Sequence, residues 1–263
     1  MAMKINNNLI LAVIFVLAVA VVPSDAQVVL DGTMGTIGEV KGSIYDIKET
    51  YGQKAGTNLF HSFSQFDINT GETANFVVSH DVQNIISRIT GGSHSWIDGT
   101  LQSTISGTSE ISVANLYLLN PSGVIFGPNA SLNLGGSFHV STADYLRMGE
   151  NERFYAIQDT ALLSVAPPTA FGFLSEDVKK IKLEGVENKA LTVSEGKTIS
   201  LIGGDIEITG SYLNAPEGRI NIASVASSGE VVPTESDLDV ASFQKLGIIT
   251  LSDNTLIQVS GEG

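Results

Sequence analysis

Four histidines, His61, His80, His94 and His139, and 28 carboxylates are the side chains of this sequence whose chemistry reaches beyond packing, and there is no cysteine to add to them. Imidazoles that share a metal ion sit at spacings such as His-x-x-x-His, and serine hydrolases present their nucleophile in a Gly-x-Ser-x-Gly elbow. Neither pattern occurs, nor does a phosphate-binding loop. Glycan-cleaving chemistry needs clustered carboxylates, often beside a calcium ion or a base. The adjacent pair His80-Asp81 is expected to lie in an extended strand, where neighbours face opposite sides and form no dyad. Gly203-Gly204-Asp205-Ile206 has half of a calcium-binding nonapeptide turn but lacks the Gly-x-Asp continuation. Trp96 and Tyr117 offer flat faces for a sugar, and packing at the core or rim is their plainer use. No catalytic residue, cofactor or metal ligand is assigned from these patterns.

The elements that would carry these residues are short and extended. Runs of Val, Ile, Leu and Thr alternate with Gly, Asn, Ser and Asp every six to eight residues, which predicts an all-β chain. Ile199, Ile206, Leu213 and Ile220 recur at intervals of seven, with glycines between them as corners. A looser version runs through Ile105, Ile111, Leu118, Ile125, Leu132 and Phe138. Three strands per turn make a coil of roughly twenty residues, within the period of stacked repeats, and such a coil must stack on neighbours to bury its apolar edge. A parallel β-helix follows, with a β-sandwich as the alternative, because strand spacing does not by itself fix parallel pairing. Two segments break the rhythm. Residues 144–178 are expected to form a helical or loop excursion, and 226–245 a loop thrown out between coils. From Leu246 the pattern resumes and no terminal cap is visible, which suggests a truncated chain or the opening part of a longer repeat protein.

Lys4 precedes fourteen consecutive apolar residues, Leu9 to Val22, and Ser24-Asp25-Ala26 supplies a small-x-small junction. That is a secretory signal peptide over residues 1–26, too short to span a hydrocarbon core of ~30 Å. The formal net charge is −14, which repels phosphate backbones and argues against a nucleic-acid partner. The lack of cysteine suits either a chain that crosses a second membrane unfolded or a large β-protein that needs no staples.

The stretch Asn58-Leu59-Phe60-His61-Ser62-Phe63-Ser64-Gln65-Phe66-Asp67-Ile68-Asn69, followed by Gly71 and Ala74-Asn75-Phe76, resembles the opening signature of the filamentous-haemagglutinin amino-terminal domain, the two-partner secretion domain. Read from the residues, Phe60, Phe63 and Phe66 are apolar anchors suited to a cap over an open coil. A second match, Asn120-Pro121-Ser122-Gly123-Val124-Ile125, is similar to the family's Asn-Pro-Asn-Gly-Ile motif with Ser122 in place of the second Asn. Pro121 sets φ near −65° in a turn, Gly123 admits a positive φ, and Asn120 can bond backbone groups or stack in a ladder. The chain has one Asn-Pro pair, so the second such motif of some members is absent.

The resemblance implies a right-handed parallel β-helix with an amino-terminal cap and extra-helical loops. It implies a secretion domain over residues 27–175 and further coils over 176–263. The implied function is that of a secreted adhesin of the haemagglutinin type, recognised unfolded in the periplasm by the periplasmic domains of a dedicated outer-membrane barrel transporter and delivered to the bacterial surface. A host or neighbouring-cell receptor or glycan is the further partner implied. The motif residues that carry this are Asn58, Phe60, Phe63, Phe66, Asn69, Asn75, Asn120, Pro121 and Gly123. A β-helix polysaccharide lyase or hydrolase, or the carrier region of a cytolysin or contact-dependent toxin, are the alternative readings.

Overall fold

Three strands are laid down per turn in the computed structural model, which describes residues 28–157, 163–185 and 190–260. The expected export signal lies outside the described residues. One face stacks Asn58–Phe66, Asn84–Ile89, Asn115–Leu119, Phe138–Ser141, Thr198–Gly203 and Arg219–Ser224. A second stacks Ser95–Ile97, Val124–Phe126, Ile181–Glu184, Ile206–Thr209 and Ile249–Ser252. The third begins with Ile44–Lys48, Thr73–Val78, Thr100–Ile105 and Ser131–Asn133, and continues through Ala190–Thr192, Tyr212–Asn214 and Leu256–Gln258. Pairing within these stacks is parallel. This is a parallel β-helix, and it excludes the sandwich alternative, whose sheets pair antiparallel.

The seven-residue rhythm is the step from face to face. Ile199, Ile206 and Leu213 lie on successive faces, and Ile220 pairs in register with Ile199, so three intervals of seven complete one turn. The lumen is filled by Leu59, Phe63, Ile85, Leu116, Phe138, Val140, Ile199 and Leu201 from the first face. Val124, Phe126, Ile181 and Ile206 enter from the second, and Ile47, Phe76, Leu101 and Leu213 from the third. At the amino-terminal end Val28–Asp31 and Ile37–Val40 extend the first face by antiparallel pairing and close the first coil.

The two breaks in the rhythm are built differently from expectation. Residues 144–178 hold no helix among the described residues. They form the strands Tyr145–Met148, Glu152–Tyr155 and Pro168–Phe173, which pair antiparallel. The segment expected as a loop between coils supplies Gly229–Pro233 and Leu238–Asp239 to the same sheet. Both insertions leave the solenoid at the corner after a first-face strand, so both return over the same side. Leu146, Met148, Phe154, Phe171 and Val231 bury there against Phe60, Ile86, Leu119 and Ile202. Their period-two alternation is masked in the sequence by the charged residues between them, Arg147, Glu152 and Arg153. The first face is therefore buried on both sides, and every residue of Asn84–Ile89 is buried.

Candidate functional site

Phe60, Phe63 and Phe66 belong to the first full strand of the first face rather than to a cap over an open coil. The pleat sends Phe63 into the lumen and Phe60 outward against Phe154 of the outer sheet at 4.9 Å, and a register shift after Phe63 turns Phe66 into the lumen as well, its ring 5.0 Å from that of Phe63. One strand thus anchors both cores, because successive side chains point to opposite faces.

Asn58 opens that strand and is 1% exposed. Its amide donates to the carbonyls of Ser164 and Ala166 at 2.9 and 2.8 Å, and its oxygen accepts from Asn84 at 2.8 Å. Asn84 in turn accepts from Asn115 at 3.0 Å, and Asn115 accepts the Ser137 amide. The three asparagines occupy one register position on successive coils. A side-chain ladder therefore runs with one polarity along the coil axis and ends on the backbone of the outer segment. A second ladder crosses the third face, where Asn75 donates to Asp46 at 2.8 Å, Gln102 to Asn75 at 3.3 Å and Asn133 to Gln102 at 2.7 Å. Asn69 sits at a corner, its backbone amide donating to Glu72 at 2.8 Å while the Glu72 amide bonds back to the Asn69 carbonyl.

Asn120 is fully buried and takes part in neither ladder. Its amide donates to the Ser93 carbonyl and to Ser95 Oγ, both at 3.0 Å, and its oxygen accepts the Ser122 amide at 2.9 Å. Pro121 lies in the turn that the Gly123 amide closes on the Asn120 carbonyl at 3.0 Å. Gly123 has φ +109°, a region that costs other residues energy. The turn is tied to both neighbouring coils, since the Ser95 amide bonds the Gly123 carbonyl and the Val124 amide bonds that of Lys180.

The histidines do not converge. His61 points into the lumen, completely buried, with Nε2 3.2 Å from the Lys48 carbonyl, and burial pushes its pKa down to about 4. His139 faces the outer sheet, stacked on Tyr117 at 4.4 Å with Nδ1 2.9 Å from Ser200 Oγ. Tyr117 is therefore packed between coil and outer sheet, and burial raises its hydroxyl to about 12. Trp96 packs at the rim against Gly127. His80 and Asp81 occupy a turn rather than the expected strand, and Asp81 pairs with Lys54 at 2.7 Å. The Asp205 carboxylate accepts the Ile248 amide at 2.9 Å, and that of Asp98 accepts the Asn129 amide at 2.7 Å.

One buried group went unremarked in the sequence. Arg88 is 0% exposed beneath the outer sheet. It donates to Ser62 Oγ at 2.8 Å, to the Tyr155 carbonyl at 2.6 Å and to Thr33 Oγ1 at 2.9 Å, and its guanidinium lies over the Phe154 ring at 5.1 Å. Ser62 and Thr33 pass the polarity on to the Asp31 carboxylate at 2.6 and 2.8 Å. Burial works to raise the Asp31 pKa, but the bonds from Ser62, Thr33 and Thr90 outweigh it and hold the carboxyl below its ordinary value. The available signal was a cation flanked by isoleucines, Ile85, Ile86 and Ile89, since an unpaired charge is not tolerated among buried apolar residues.

These motifs lie on a parallel β-helix with an antiparallel first coil, and a family model described as the TPS secretion domain matches residues 26–260. The chain belongs to the TPS secretion domain family. Among curated relatives, the heme/hemopexin-binding protein of Haemophilus influenzae is 28% identical over 227 residues, which is 86% of this chain and 23% of that protein. The chain thus spans about a quarter of that relative's length. As a TPS secretion domain it is exported through the periplasm to the outside of the cell. Asn120→Ala in this TPS domain leaves the buried Ser95 hydroxyl, the Ser93 carbonyl and the Ser122 amide without their partner and is expected to cost about 1 to 3 kcal/mol. The denaturation midpoint and the amount secreted are expected to fall together. Lost secretion at an unchanged midpoint would show that a secretion partner reads Asn120 directly.

Proposed function

We propose that this chain is the secretion domain of an adhesin of the haemagglutinin type, delivered by a dedicated outer-membrane barrel transporter and without catalytic activity. The observation that carries the reading is the match of a secretion-domain family to nearly the whole described solenoid. A chain without cysteine enters the periplasm with no crosslink to hold it folded, and its extended segments can add to a strand edge of the transporter's periplasmic domains. The motif residues Asn58, Phe60, Phe63, Phe66, Asn69, Asn75, Asn120, Pro121 and Gly123 act by building coils once the chain is outside. Support for the non-catalytic reading is the employment of the candidate groups: His61 and His139 are packed inside, and Asp98 and Asp205 are committed to backbone amides. Adhesion to a host or neighbouring-cell receptor or glycan is the activity we assign to the whole exoprotein.

The test is co-expression with and without the candidate barrel transporter, followed by mass spectrometry of the medium. Chain beginning at Gln27 is expected in the supernatant only when the transporter is present. Equal release without it, or an exported chain that keeps Met1, would overturn the route. Release of unsaturated sugar from acidic glycans by the purified chain would instead favour the lyase alternative.

A further inference from the structure

The outward side of the outer sheet carries a cavity of about 380 Å³ lined by Tyr145, Arg147, Asn151, Arg153, Glu230 and Ser242, among others. That volume falls within the ~300–1,000 Å³ of small-ligand sites. Its composition departs from the rest of the molecule. The chain has four arginines against ten lysines and a net charge of −14, yet two of the four arginines line this one cavity, beside the two carboxylates Glu150 and Glu230. Arginine is the side chain whose planar fork of donors fits a carboxylate.

The walls are held in place before any ligand arrives. The Tyr145 ring lies flat on the Gly172 backbone, where an added Cβ would come within 1.9 Å of the ring. The Arg153 guanidinium lies over that ring at 4.4 Å. Tyr145 donates its hydroxyl to Glu230 at 2.7 Å. Glu230 does not use up the two cations, since it stands 3.4 Å from Arg147 and 3.9 Å from Arg153. Charge-assisted N–H···O bonds close to ~2.7–2.9 Å. Arg147 Nε is itself buried and without a hydrogen-bond partner among the described residues, so the cavity is reached only by the outer nitrogens of the guanidinium. Asn151 adds an amide that bonds hydroxyls in either direction, and Ser242, whose hydroxyl donates to the Glu230 carbonyl and accepts the Glu230 amide, keeps one acceptor lone pair.

We propose that this cavity binds an acidic sugar, a hydroxylated ring carrying a carboxylate. Arg147 and Arg153 take the carboxylate, the phenol ring of Tyr145 forms part of the wall, and Asn151, Ser242 and Glu230 order the hydroxyls. The site lies on the insertions rather than on the motif-bearing coils, so it stands independently of the secretion reading.

The experiment is ligand-observed NMR on the secreted chain with glucuronic acid and N-acetylneuraminic acid, set against glucose, galactose and acetate. Binding of an acidic sugar is expected, with neutral sugars and acetate each weaker. Arg147→Met and Asn151→Asp are each expected to weaken it at least about tenfold, on the scale of one hydrogen bond to a charged group. Asn151 is in an exposed turn, so its variant keeps the test valid if Arg147→Met fails to fold. Equal binding of acetate would reduce the site to general anion attraction, and equal binding of neutral sugars would remove the role given to the arginines. No binding, or binding unchanged in the folded variants, would refute the proposal.

Discussion

Arg88→Met is expected to destabilise the domain by about 3 to 5 kcal/mol, the range for breaking one side of a buried charged pair. Methionine keeps much of the apolar stem over Phe154, so the loss reports the guanidinium. Its removal leaves the Tyr155 carbonyl, Ser62 and Thr33 without their donor, and leaves the Asp31 carboxylate facing hydroxyls with no cation behind them. These groups come from three places: Asp31 and Thr33 from the closing segment, Ser62 and Arg88 from the first two coils, and Tyr155 from the outer sheet. One cation thus ties together parts far apart in sequence. Asp31→Asn is expected to recover part of the loss in the Arg88→Met background while costing stability alone, because the two substitutions share one network. Urea midpoints of the four chains give the coupling. A loss below about 1 kcal/mol for Arg88→Met would assign Arg88 the weight of a surface ion pair.

Acidification is expected to destabilise the domain between about pH 6.5 and pH 4. In the unfolded chain His61 takes its proton near its ordinary value of 6.5, whereas burial in the lumen pushes it down to about 4. Between those values the unfolded state binds more protons, so stability falls as pH falls. A shift of that size amounts to roughly 3 kcal/mol at its full extent. Glu49 lies near enough to favour the charged form, but desolvation outweighs it. His139 is pushed down to about 4 by burial in the same way, so the two imidazoles share this window. The Asp31 carboxyl is held below its ordinary 3.8, so its contribution is lost only at lower pH, in a separate window. His61→Leu isolates the effect, since Leu118, Val140 and Leu201 occupy the same register line in the later coils. The variant is expected to lose about half of the pH slope, the rest staying with His139. An unchanged slope in His61→Leu would place the proton elsewhere.

How much of this was legible in the residues differs from element to element. Ile199, Ile206, Leu213 and Ile220 state their period in the sequence, because every turn of a solenoid places the same kind of residue in the same lumen. Pro121 and Gly123 announce a turn because each restricts or frees φ by its own covalent structure. The outer sheet was not legible. Its inner residues alternate with arginines and glutamates that face solvent, and only the shared exit corner of two insertions, dozens of residues apart, brings Phe171 opposite Val231. The partners of Asn58, Asn120 and Arg88 were equally hidden, since a hydrogen bond depends on which groups the coil register sets within 3 Å and composition carries no register. Local sequence by itself therefore determined the strands, the corners and the coil, through covalent geometry and periodic burial. The tertiary structure alone decided which polar groups meet, because those meetings are made by stacking and by the return of the insertions over the first face.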